Sequence, residues 1–191
     1  MAVTVAGASG AAHAAAVVAA ERALDGLGPQ ARRNVELLAP HAKLGIPIVG
    51  TEPSCILTLR DEYIDLLPGN ADAQLVANHA FMIDEFLAKL DADGELGINW
   101  QDGKTDEVFF HGHCHQKALI GMGPSMSILK SAGCSASESG AGCCGMAGSF
   151  GYEAEHYEVS KKIGEERLFP AVNALNSSTT VAVAGVSCRQ Q

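Results

Sequence analysis

Apolar positions along this chain fall into short runs separated by glycine, proline and charged breaks, and the spacing within each run separates helix from strand. Residues 11–25 are alanine-rich, a helical composition that Gly26 and Gly28 are expected to end. A second helix is expected over 30–43, with Gly45 behind it. Ile46 to Val49 is an apolar run containing Pro47 and bounded by glycines, which reads as a strand at the edge or end of a sheet. A loop over 50–55 then opens into a helical run from about 57 to 67. Val76, Phe81, Ile83, Phe86, Leu87 and Leu90 recur at helical spacing behind a capping Asp72, so one amphipathic helix is expected through Leu90. Residues 92–106 are polar and suit a surface loop. Val108-Phe109-Phe110 reads as a strand, followed by a helix to about Ser131, a helix over 153–168 and a strand over 179–184.

Strands alternating with helices predict an α/β fold with mainly parallel sheets flanked by helices. Ligands in such sheets gather beyond the carboxyl ends of the strands. Three cysteine-bearing loops are expected there, 50–55, 111–114 and 185–188. The chain is 191 residues long and 47% hydrophobic, enough for a buried core. A net charge of −9 and a pI near 5.1 argue against a nucleic-acid or anionic-membrane partner. No run approaches the length of a membrane span, and the alanine-rich start lacks the basic region of a signal peptide.

The cysteines change the picture most. They stand at 55, 114, 134, 143, 144 and 188. A chain this large needs no disulfide staples, so metal or redox chemistry in a reducing, cytoplasmic setting is expected. Cys143 and Cys144 are adjacent within Gly142-Cys143-Cys144-Gly145. Neighbouring side chains on extended backbone point to opposite sides, so closing both on one ion strains the peptide between them. Two sulfurs reaching different atoms of a multi-atom cluster fit the pair better, and Gly142 and Gly145 offer the backbone freedom for it. Cys114 and Cys188 supply the other two thiolates of a Cys₄ iron–sulfur site. Cys114 falls between a strand and a helix, where the helix dipole favours thiolate.

His111, His113 and His115 flank Cys114. They can ligate metal, hydrogen-bond to cluster sulfur or move protons; flanking contacts to the cluster are assigned to His113 and His115, and loop packing to His111. Cys134 sits in a small-residue turn and is not counted as a ligand. Phe150, Gly151 and Tyr152 can shield the site. Two other readings stay open: zinc held by Cys and His as a structural or regulatory module, and Cys114 as a nucleophile activated by His113 or His115.

A weak internal repeat is visible. Ile46-Pro47-Ile48-Val49-Gly50 leading to Ser54-Cys55 echoes Val181-Ala182-Val183-Ala184-Gly185 leading to Ser187-Cys188. Alanines stand where the first copy would carry its own cysteine pair, so one site is expected and not two.

His113-Cys114-His115-Gln116-Lys117, the run Gly142 to Tyr152, and Gly185-Val186-Ser187-Cys188-Arg189-Gln190 resemble the cysteine-rich CCG domain. That domain occurs in the iron–sulfur parts of FAD-linked oxidases of 2-hydroxy acids such as glycolate and lactate. Related domains occur in one subunit each of anaerobic glycerol-3-phosphate dehydrogenase and of heterodisulfide reductase. The resemblance covers roughly residues 40–191. It implies two tandem CCG-type repeats: the end of a first over 1–70, a connecting helix and loop over 71–106, and a complete second over 107–191. It implies an iron–sulfur cluster, [4Fe–4S] in type, on Cys114, Cys143, Cys144 and Cys188. Electrons would pass from a flavin in a partner toward a quinone or other acceptor. FAD and ferredoxin-like cluster motifs are expected in partner segments, with membrane association only through those partners, and this chain alone is not expected to oxidise a substrate. Many relatives end their motif in C-x-x-C; here Gly185 takes the place of the first cysteine, which favours a four-cysteine site over a five-cysteine one. The chain is expected to begin inside the first repeat and stop just after Cys188.

Overall fold

A computed structural model describes residues 10–100 and 106–191, with side chains from Gly26 onward. The expected loop over 92–106 therefore lies partly outside the described residues. In chain order the elements are α1 (Gly10–Lys43), β1 (Ile48–Gly50), α2 (Pro53–Ile56), α3 (Glu62–Leu66), α4 (Ala71–His79), β2 (Ala80–Met82) and α5 (Ile83–Ala92). They continue with β3 (Glu107–His111), α6 (Cys114–Leu119), α7 (Gly123–Ser131), β4 (Ser135–Glu138), α8 (Tyr157–Glu166), α9 (Leu168–Asn173), β5 (Thr180–Val183) and α10 (Val186–Gln190). The fold is α/β, as expected.

Two compact units are present: the chain up to Ile48 with Leu59–His79, and Val49–Thr58 with Ala80–Gln191. In the first, Ala31, Val35, Ala39 and Ala42 form a buried stripe along α1. Their spacing of three and four places them on one helical face, packed with α4, which buries Ala73, Val76 and Ala77. Lys43 Nζ pairs with Asp72 at 2.9 Å beside this contact.

α1 is one helix where two were expected. Interior glycine weakens a helix by about 1 kcal/mol relative to alanine but does not stop it. Gly26 and Gly28 keep ordinary helical backbone, whereas Gly45 takes φ +74°. Ile46 N–H then reaches His41 C=O at 3.1 Å and Gly45 N–H reaches Ala42 C=O at 2.9 Å, the crossed bonds of a Schellman stop.

The expected helix over 72–90 is likewise divided. Asn70, not Asp72, caps α4, its Oδ1 accepting the Asp72 and Ala73 N–H groups at 3.0 Å. Ala80–Met82 leaves the helix as β2 and pairs with β1. Glu85 reaches back to the Met82 N–H at 3.3 Å and starts α5.

The second unit is built on a three-stranded parallel sheet in the order β4-β3-β5. The register sets Phe110 opposite Glu138 and Ala182, and His111 opposite Val183. β4 is a strand the sequence pattern does not announce: Ser135-Ala136-Ser137-Glu138 has no apolar alternation and is ordered by pairing with β3. The expected helix to Ser131 is two, with Pro124 in the first turn of α7. The helix expected over 153–168 is α8, shorter at both ends. All three strands end on the same side of the sheet, and His111, Ser139 and Gly185 lie just beyond those ends or at them.

Candidate metal centre

Beyond the carboxyl ends of β3 and β5 lies a cavity of about 460 Å³. Cys114, Cys143, Cys144 and Cys188 all line it, as do His113 and His115. The cysteines arrive from three different local structures. Cys114 opens the six-residue helix α6 and is exposed; Cys143 and Cys144 come from the loop between β4 and α8; Cys188 is the third residue of α10. Segments far apart in the chain are thus closed on one another by a single parallel sheet. Cys55 is exposed and Cys134 half-buried, and neither lines the cavity.

Cys144 and Cys188 have their backs to an apolar cluster of Ala141, Met146 and Leu168, joined by Phe169, Val172 and Val183. Their sulfurs face one another. The Cys188 thiol donates to the Cys144 sulfur, and with His111 it outweighs burial, holding the Cys144 thiol down at about 4. That same bond, with burial, pushes the Cys188 thiol up. The pair is thereby polarised, with Cys144 favoured as thiolate and Cys188 as thiol. Cys143 is pushed up by burial, against which the Gly145 N–H donates to its sulfur at 3.3 Å.

The loop holding the pair is tightly wound. Gly145 has φ +104°, and Ala147, a cavity-lining residue, has φ +44°, a conformation uncommon for residues with a Cβ. Gly142 shows no such requirement. Lys117, one turn along α6 from Cys114, donates through Nζ to the carbonyls of Ala141 and Gly142, the latter at 3.1 Å. It ties the helix of the first cysteine to the loop of the pair. Replacing Lys117 by methionine keeps the stem and removes both bonds. Unfolding stability is expected to fall by about 1–2 kcal/mol, read from the urea midpoint, with Lys117→Arg retaining most of it.

Glu52 organises the opposite rim. Its Oε1 accepts the Ser54 hydroxyl at 2.7 Å at the start of α2, and its Oε2 accepts the Val186 N–H at 2.8 Å at the start of α10. Burial acts to raise the Glu52 carboxyl, but the bonds from Val186 and Ser54 and the nearby His113 hold it below its usual value. The two Ser-Cys segments of the internal repeat both open helices, and one carboxylate serves both. Gly185, which has no side chain to cap with, is the residue before α10.

His113 caps α6, its Nδ1 accepting the His115 N–H at 3.2 Å, while Nε2 faces the Ser187 hydroxyl at 3.4 Å. Burial pushes its pKa down, against the pull of Glu52. A Cβ on Gly185 would stand 2.4 Å from His113 Cδ2. The imidazole therefore fills the space that a side chain at 185 would need. Tyr152 lines the cavity, whereas Phe150 is stacked on His156 with centroids 4.1 Å apart.

His111 departs from its assignment to loop packing. It is 1% exposed, and one of its ring nitrogens lies within 4.8 Å of both the Cys144 and Cys188 sulfurs. The alternating histidines of 111–115 were a visible signal, but nothing in the spacing singled out the first.

The chain is 30% identical over 164 residues to the D-2-hydroxyglutarate dehydrogenase of Escherichia coli K12, covering 84% of this chain and 15% of that enzyme. Against the Haemophilus influenzae enzyme of the same name it is 29% identical, covering 84% and 16%. Against a subunit of the anaerobic glycerol-3-phosphate dehydrogenase of Escherichia coli K12 it is 30% identical over 138 residues, covering 71% and 34%. This chain is homologous to those dehydrogenase proteins. They are of the kinds named by the motif resemblance, one of them by name. The chain spans about 15% of the length of the hydroxyglutarate dehydrogenases and 34% of the glycerol-3-phosphate dehydrogenase subunit. No family model matches it, and no solved structure does. Among the described residues, no helix is long and apolar enough to cross a membrane.

Proposed function

We propose that this chain is an iron–sulfur electron-transfer module of an FAD-linked dehydrogenase acting on a 2-hydroxy acid. The observation that carries the reading is the convergence of Cys114, Cys143, Cys144 and Cys188 on one cavity. Such a cluster supplies one-electron chemistry when bound. The residues present suit it: four soft sulfur donors, an adjacent pair able to reach two metal atoms, a loop wound around Gly145 and Ala147, and a sulfur already favoured as thiolate at Cys144. The place beside Gly185, filled by the His113 ring, favours four cysteine ligands over five.

In this reading His113 and His115 border the cluster, Lys117 and Glu52 hold the ligand-bearing segments in place, and the apolar cluster behind Cys144 and Cys188 keeps water from one side. The exposed face at Cys114 and Tyr152 is where electrons enter or leave. Flavin and substrate belong to a partner segment or subunit, and a ferredoxin-like segment accompanies them.

Anaerobic purification followed by iron, acid-labile sulfide and EPR measurement tests this directly. About four irons per chain with matching sulfide are expected. Zinc alone, even from an anaerobic preparation, would replace the electron-transfer reading with a zinc module.

A further inference from the structure

One buried side chain beside the Cys144 and Cys188 sulfurs is left without a task by the four-cysteine reading. His111 ends β3 and is buried. Its Nδ1 meets the Ser139 Oγ at 2.7 Å. Its Nε2 is fully enclosed and has no hydrogen-bond partner, and a ring nitrogen lies within 4.8 Å of the Cys144 and Cys188 sulfurs. A buried imidazole nitrogen left without a partner carries a cost, and the Cys144 and Cys188 sulfurs are the acceptors close to this ring.

The hydrogen-bond pattern around the ring leaves Nε2 able to carry the proton. Ser139 Oγ accepts the Ala141 N–H at 3.3 Å. Its one hydroxyl proton is then free to donate to Nδ1. A neutral imidazole accepting at Nδ1 carries its own proton on Nε2. Thiolate sulfur bound to metal can only accept. Donor and acceptor therefore match across the gap.

We propose that His111 is a positioning residue whose Nε2–H donates to the sulfur of Cys144, with Ser139 fixing the tautomer, and that this bond raises the reduction potential of the bound cluster. A donor to a ligand sulfur stabilises the more negative, reduced form, so losing it lowers the potential. The effect on potential rests on the cluster proposed above; the tautomer and the contact do not.

His111→Phe fills similar space without a donor, His111→Gln restores one N–H, and Ser139→Ala removes only the ring's anchor. With iron loaded, the midpoint potential by EPR-monitored titration is expected lowest for His111→Phe, intermediate for His111→Gln, and shifted the same way by Ser139→Ala. Unchanged potentials in all three, with wild-type iron content, overturn the proposal and leave the electron-transfer reading standing. If His111→Phe does not load iron, the wild-type protein with nitrogen-labelled histidine still decides. Weak nitrogen hyperfine coupling in pulsed EPR supports a hydrogen bond, and strong coupling, meaning direct ligation, overturns it. Should the wild-type protein hold zinc alone, long-range proton–nitrogen NMR of the zinc-loaded chain reads the tautomer. A proton on Nε2 of His111 supports the contact; a proton on Nδ1 overturns it.

Discussion

Gly145→Ala is expected to collapse the cysteine loop, lowering stability by about 3 kcal/mol or more and abolishing metal loading. Two independent costs act at this residue. Its φ of +104° is a backbone conformation that side chains with a Cβ rarely adopt. A Cβ there would also stand 2.1 Å from the Ser160 carbonyl oxygen, which is backbone and cannot rotate away. Ser160 is itself buried in α8, and its carbonyl already accepts the Gln191 side chain at 3.2 Å. Relief therefore requires moving a helix or unwinding the loop, and the second course swings Cys143 and Cys144 away from Cys188. Gly142→Ala is the control. Space is open around it, its backbone is not left-handed, and a near-neutral change within about 0.5 kcal/mol is expected. Urea unfolding of the three proteins, with metal content measured alongside, checks both expectations. Equal midpoints for wild type and Gly145→Ala would show that the loop has slack this geometry lacks.

The contrast between those glycines shows where sequence reading reaches its limit. The frame Gly-Cys-Cys-Gly marks both as special, but only contact with α8, far along the chain, makes one indispensable. The α/β alternation was legible because β3 and β5 are apolar runs bounded by turns. The grouping of Cys114 with Cys188 followed from their place after strands, since parallel strands deliver their carboxyl ends to one side. The Cys143–Cys144 pair joined them through the four-thiolate count and the motif resemblance. β4 was not legible. Its residues are small and polar, and only the neighbour β3 orders them. That loss hid His111 as well, because Ser139, the residue that orients its ring, stands one step past this unannounced strand. Helix ends were misplaced for a related reason. Gly26 and Gly28 looked like stops, but a stop needs the left-handed backbone and crossed bonds that Gly45 provides and they do not.

If the proposed cluster is present, Cys144→Ser is expected to lose its metal while Cys134→Ser and Cys55→Ser keep it. Serine is nearly the size of cysteine, so the apolar cluster behind residue 144 keeps its packing and the fold is expected to survive. What is lost is ionisation. The Cys188 thiol and His111 hold the Cys144 thiol well below its usual range, which favours the thiolate. A hydroxyl in the same place stays protonated, and a hard oxygen is a poor substitute for a soft sulfur toward iron. Loss of metal by at least about tenfold is expected, the effect that even outlying partners of ligands command. Cys134 and Cys55 lie away from the cavity lining, so their variants serve as matched controls for thiol loss. Cys114→Ser separates the remaining alternatives. A ligand at 114 loses metal with it, whereas a nucleophile would lose turnover and keep its metal. Iron and zinc content per chain, measured on all four variants prepared anaerobically, decides among these outcomes. Metal retained in full by Cys144→Ser would mean that the adjacent pair serves packing alone.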